Sequence, residues 1–164
     1  RIPAHVKRVG VLVDPDDDFL DSLIAAGGLQ VIQLHGHESP ARVAQLRART
    51  GLEVWKAVSV QTAADIAGGA AYAGAADFLL YDAKTPDGAA LPGGMGMRFD
   101  WTLLAGHRPP LPWGLSGGLT PENVAEAIRL TGAPLVDVSS GVESAPGVKD
   151  AGLITAFCKA AHDS

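Results

Sequence analysis

LVDVSSGVESAPGVKD, residues 135–150, is the stretch on which the reading of the fold turns. A short apolar run ends in Asp137-Val138-Ser139-Ser140-Gly141, and a Gly/Pro-containing loop then leads into a last helix. Small hydroxyl residues followed by glycine at a strand's C-terminal end leave backbone N–H groups open, a layout that holds an anion such as phosphate. Just upstream, Leu115-Ser116-Gly117-Gly118-Leu119-Thr120-Pro121-Glu122-Asn123 repeats the build: strand, glycine pair, capped helix. Two such turns in consecutive units predict one shared phosphate cradle made by Gly117, Gly118, Ser139, Ser140 and Gly141. The competing reading is a pair of ordinary glycine turns.

Working back towards the N-terminus, the same unit recurs. Residues 8–14 form a continuous β-branched run, the pattern of a strand buried on both faces. Pro15 and Asp16 to Asp18 then open a helix with an apolar stripe of Phe19, Leu20, Leu23 and Ile24, stopped by Gly27-Gly28. The aspartates read as charges matched to a helix dipole; a metal site is the alternative, with no partner ligand nearby in the sequence. Residues 29–36 read as a strand, and Ser39-Pro40 starts a helix whose Arg42, Arg47 and Arg49 make a solvated face. Further strands are expected at 53–60, 76–82, 112–115 and 135–138, and helices at 62–73, 120 onwards and 153–161. About six strand–helix units without a hairpin signal predict a parallel sheet. Strict alternation leaves a doubly wound open sheet or a (β/α)8 TIM barrel, and against eight units this chain is two short.

Composition narrows the function classes. Hydrophobic residues at 47% with 19% charged exclude a disordered chain. A net charge of -5 disfavours nucleic acid or an acidic membrane as partner. Cys158 is alone, so no internal disulfide forms, and a reducing compartment, the cytoplasm, is expected. Cys158 itself reads as a small buried hydrophobe on the last helix. The start at Arg1, with a strand following almost at once, is expected of a fragment or of a processed chain.

The segments Gln33-Leu34-His35-Gly36, Leu79-Leu80-Tyr81-Asp82, Gly93-Gly94-Met95-Gly96, Phe99-Asp100-Trp101, Ser116-Gly117-Gly118-Leu119 and Asp137 to Glu143 with Gly147-Val148-Lys149-Asp150 together resemble the phosphoribosylanthranilate isomerase family. The resemblance runs in unbroken order from Val9 to the C-terminus. It implies a (β/α)8 barrel of the ribulose-phosphate-binding class with the first two βα units absent from this chain, in a single domain, residues 1–164, that lacks its N-terminal portion. It implies an Amadori rearrangement in tryptophan biosynthesis, with no cofactor and no metal. Asp82 matches the family's general acid; without the resemblance it reads first as a loop cap bonded to its own backbone. His35 becomes a substrate ligand rather than a satisfied core histidine, Gln33 points to the same side of its strand, and Asp137 faces a ribose hydroxyl or holds the serine loop. The family's general base, a cysteine ending strand one, and its anthranilate-binding arginine after strand two have no counterpart in these 164 residues. Met95 stands where the family loop has threonine, and Tyr81 where an aliphatic residue is commoner. Residues 93–96 read as a mobile flap over the substrate. The implied partner is a small phosphosugar, with a homodimer or a fusion to another pathway enzyme in prospect. A related aminoaldose–ketose isomerase, or a catalytically incomplete phosphate-binding fragment, are the alternatives.

Overall fold

Helices begin where the chain supplies a cap. Asp16 accepts from Phe19 N at 2.8 Å to start α1, Asp17–Ala26; Ser39 with Pro40 at the first position starts α2, Pro40–Thr50. Thr62 and Asp65 form a reciprocal capping box ahead of α3, Ala63–Gly68. In a computed structural model that describes residues 2–83 and 99–164, these helices alternate with strands β1, Val9–Leu12; β2, Val31–Leu34; β3, Glu53–Val60; β4, Phe78–Ala83; and β5, Trp113–Leu115. Helix α4, Val124–Thr131, follows β5, and α5, Ala151–His162, closes the chain behind its Asp150 cap.

All five strands are parallel and lie in chain order, β1 to β5. A doubly wound sheet reverses its order at a switch point and carries helices on both faces. Here the order never reverses. Alternate strand residues pack outward on helices: Leu12, Ile32, Leu34 and Val54 against Leu20, Val43 and Leu46, and Leu79, Tyr81 and Leu115 against Ile66, Val124 and Phe157. The intervening residues therefore line the opposite, concave face. This is the wall of an incomplete (β/α)8 barrel.

Several expectations need correcting. Strand β1 is not buried on both faces: Val9, Val11 and Val13 are 37%, 61% and 51% exposed. Among the described residues β1 pairs only with β2, so one edge and the inner face have no cover. The strand expected at 135–138 contracts to a single parallel bridge, Leu115 to Val136, because β5 offers only three residues before Gly117. The region read as free of hairpins contains one, β6 Glu143–Ala145 with β7 Val148–Lys149, turning at Pro146-Gly147. The helix expected over 62–73 ends as α3 and continues as a 3-10 turn, Gly69–Tyr72, pressed against Leu79 and Tyr81. Before α4 the Asn123 side chain accepts from Thr120 N and donates to Gly118 O, delaying the helix past Pro121.

Cys158 is exposed, since Phe157 takes the core-facing position of α5 and the next residue is rotated about 100° away. The arginines of α2 are not simply solvated. Arg42 meets Asp17 at 2.7 Å, Arg49 meets Asp21 at 2.6 Å, and Arg47 meets Asp77 at 2.6 Å, so the acidic face of α1 is tied to α2. His37 is exposed as expected, yet its ring lies 3.2 Å from Asp14. No described helix is long and apolar enough to cross a membrane. The expected flap, residues 93–96, lies outside the described residues.

Candidate active site

The parallel register carries inner-face residues to one rim. Gln33 pairs with Trp55, which sets His35 beside Ala57; Ser59 pairs with Asp82; Leu115 bridges Val136, which sets Ser116 beside Asp137. His35, Ser59, Asp82, Ser116 and Asp137 are at or just past the C-terminal ends of their strands, the end where barrels of this kind gather reactive groups.

Contacts knit the rim together. His35 Nε2 lies 2.6 Å from Gln33 Oε1, and His35 Nδ1 lies 3.9 Å from Asp82 Oδ2. Ser116 Oγ donates to Asp137 Oδ2 at 3.1 Å and also reaches the Asp82 carboxylate. Thus Gln33, His35, Asp82 and Asp137, four residues spread over about a hundred positions of sequence, occupy one site.

Burial sets the electrostatics. Desolvation pushes the Asp82 carboxyl up to about 6, and the nearby negative charge of Asp137 adds to this against the hydrogen bonds from Ala83 and Ser116. Desolvation also lowers the His35 imidazole, with Lys56 adding to the effect while Asp137 and Glu38 oppose it. The contact between His35 and Asp82 is therefore not an ion pair near neutral pH. A neutral ring that donates from Nε2 to Gln33 leaves its Nδ1 lone pair facing Asp82.

The glycine turns press against that acid. Gly117 and Gly118 adopt φ of 88° and 66°, a left-handed backbone that side chains disfavour. A Cβ on Gly117 would stand 2.4 Å from Ala83 N and 2.8 Å from Asp82 Oδ1. Across the rim, a Cβ on Gly141 would collide with Leu119 O at 1.8 Å, so the serine loop is seated directly on the loop after β5. Gly141 thus packs on the Leu119-Thr120 backbone that directly follows Gly117 and Gly118, which brings the two glycine turns side by side.

Two contributors escaped the sequence reading. Ser116 was visible only as the residue before a glycine pair, but its hydroxyl links both aspartates. Lys149, quoted above only within the family motif, projects from the hairpin to Ser139, donating to its carbonyl at 2.8 Å and its hydroxyl at 3.1 Å, and pairs with Glu143 at 2.6 Å. Capping falls to Asp150, which accepts from Leu153 N. Among the described residues no cluster of His, Cys, Asp and Glu has the makings of a metal site.

Comparison with known proteins agrees with this architecture. The family profile described as N-(5'phosphoribosyl)anthranilate (PRA) isomerase matches residues 1–160. The N-(5'-phosphoribosyl)anthranilate isomerase of Paracoccus denitrificans is 59% identical over 157 residues, covering 96% of this chain and 73% of that protein. The enzyme of that description from Paramagnetospirillum magneticum is 55% identical over 160 residues, covering 98% and 74%. The crystal structure of phosphoribosyl anthranilate isomerase from Thermotoga maritima superposes with a TM-score of 0.85 at 36% identity, covering 99% of this chain and 76% of that one. A phosphoribosyl anthranilate isomerase in complex with reduced 1-(o-carboxyphenylamino)-1-deoxyribulose 5-phosphate superposes at 0.82 with 34% identity, over 99% and 75%.

Proposed function

The chain belongs to the N-(5'-phosphoribosyl)anthranilate isomerase family, and we propose that the rim built by Asp82, His35, Gln33, Asp137 and the two glycine loops is its active centre. The enzyme converts N-(5'-phosphoribosyl)anthranilate to 1-(2-carboxyphenylamino)-1-deoxyribulose 5-phosphate in tryptophan biosynthesis. Protonation of the furanose oxygen breaks the ring C–O bond and leaves a Schiff base at C1′. Loss of the C2′ proton then gives an enolamine, which tautomerises to the ketose. Electrons move only within the substrate, so the chemistry calls for no nicotinamide and no metal.

In this reading Asp82 donates to the ring oxygen; a carboxyl raised to about 6 keeps a usable protonated fraction near neutrality. Gly117, Gly118, Ser139, Ser140 and Gly141 hold the phosphate, with Lys149 fixing the Ser139 end of the loop from behind. His35 and Gln33 contact the substrate, and Asp137 takes a ribose hydroxyl or keeps Ser116 in place. The observation that carries the reading is the direct packing of Gly117 on Asp82, which sets the acid and the cradle on one rim.

The base and the anthranilate-binding arginine we assign to two further βα units ahead of β1, making this domain the larger part of an eight-unit barrel. The uncovered edge of β1 and relatives about a third longer than the matched region favour that arrangement. We further propose a cytoplasmic enzyme that works without nucleic acid or membrane, as a homodimer or fused to another enzyme of the pathway.

Asp82→Asn in the full-length natural protein tests the acid. Turnover is expected to fall at least about a hundredfold with product affinity kept; retained turnover would remove Asp82 from that role.

A further inference from the structure

We propose that the buried Lys56–Glu38 pair is a positioning device for His35. Lys56 stands on the helix side of β3, one residue from the inner face, and its ammonium crosses to the loop after β2. There it donates to Gly36 O at 2.7 Å and Leu34 O at 3.3 Å, the carbonyls of the residues on either side of His35. Its third contact is Glu38 Oε2 at 2.9 Å, with the two side chains only 4% and 2% exposed.

The other carboxylate oxygen completes the grip. Glu38 Oε1 accepts from Gly36 N at 3.2 Å and from Asp14 N at 2.8 Å. Asp14 is held in a left-handed backbone, φ 44°, and its own carboxylate accepts from His37 N at 2.6 Å. A Cβ on Gly36 would lie 2.3 Å from Asp14 Oδ1, so the loops after β1 and β2 interlock with no slack. Tyr72 donates to the Glu38 carbonyl at 2.9 Å and closes the site from the helix side.

A buried ion pair seldom stabilises a fold more than apolar side chains of the same size would, because both charges must be stripped of water. What this pair does that an apolar pair cannot is fix two peptide planes, Leu34–His35 through Lys56 on the Leu34 oxygen and His35–Gly36 through Glu38 on the Gly36 N–H. Those planes bracket His35, and their orientation sets the direction of its Cα–Cβ bond. That direction brings Nε2 to Gln33 and Nδ1 towards Asp82. Displacement of a substrate-positioning group by about 1 Å can reduce rate a hundredfold, so a rigid mount behind His35 has a functional consequence.

The inference rests on His35 being a substrate ligand, and the experiment separates the two. In the full-length natural protein, the apolar swap Lys56→Met with Glu38→Leu leaves no unpaired charge behind. It is expected to raise KM about tenfold with a smaller change in kcat, and to add almost nothing once His35→Ala is present. An equal loss with and without His35, or no loss at all, overturns the clamp. If His35→Ala alone leaves kcat/KM unchanged, the ligand role of His35 fails, and the clamp is then judged by the His35 imidazole ¹⁵N resonances. These must shift in the swapped protein; unchanged resonances overturn it. Should the double swap not fold, Glu38→Gln carries the same cycle with the same criteria.

Discussion

Asp82 meets two opposed demands: a carboxyl buried enough to keep its proton is also a burden on the fold once ionised. Its folded value of about 6 lies above the ordinary 3.8. The folded protein therefore binds this proton more tightly than the unfolded chain does, so stability from this group is full below about pH 4 and is lost as pH rises through about 6. The difference corresponds to about 3 kcal/mol. Asp82→Asn is expected to recover up to that amount near neutral pH and to make no difference near pH 4; urea melts at the two pH values check it. Catalysis shares the sign: kcat/KM should decline as pH climbs above about 6, in step with loss of the acid form. At Gly141 the constraint is steric. Its virtual Cβ meets a backbone oxygen that no rotamer change can move, so Gly141→Ala should separate the two loops, raising KM and costing about 2 kcal/mol or more, measurable by steady-state kinetics and denaturant melts. Asp82 and Gly141 stood out in the sequence through the family motifs they belong to, since a strand-end aspartate by itself reads as a loop cap. Lys56 did not: a mid-strand lysine does not announce that Glu38, eighteen residues earlier, will be its partner.

The small hairpin β6–β7 shows what an element contributes that its residues alone do not. It carries Lys149 back over ten residues to Ser139 and leaves Asp150 free to cap α5. Lys149→Met should loosen the serine loop and raise KM for the phosphosugar several-fold while kcat stays within about twofold, because the acid is untouched; initial-rate kinetics decide it. The starts of α1, α2 and α3 were read well, since Asp16, Ser39 and Thr62 cap by local contacts that sequence spacing dictates. The hairpin was missed because its strands are three and two residues long, below the length at which alternation is visible, although Pro146-Gly147 was a turn signal. The expected strand at 135–138 failed for the converse reason: its apolar run was clear, but pairing depends on what β5 can offer.

Across the whole molecule, stability is expected to be graded from one side of the sheet to the other. Strands β3 and β4 share the longest register and are flanked on both sides, whereas β1 is paired on one side and shows its valines to solvent. Amides of β1 should exchange with solvent orders of magnitude faster than those of β3 and β4 in this chain, and slow when βα units ahead of it are present. Hydrogen exchange followed by mass spectrometry reads both; equal protection across the sheet would contradict the open edge.

Alternation of strand and helix, capped starts, glycine turns after two consecutive strands and the family motifs follow from contacts within a few residues, and for that reason the linear chain determined them. The closeness of Asp82 to Gly117, the grip of Lys56 on the turn around His35, the exposure of Val11 and Cys158, and the pairing of α1 with α2 were decided by tertiary structure alone. Each depends on which faces meet when parallel strands curl into a wall, and that curvature joins positions whose separation along the chain carries no local signal.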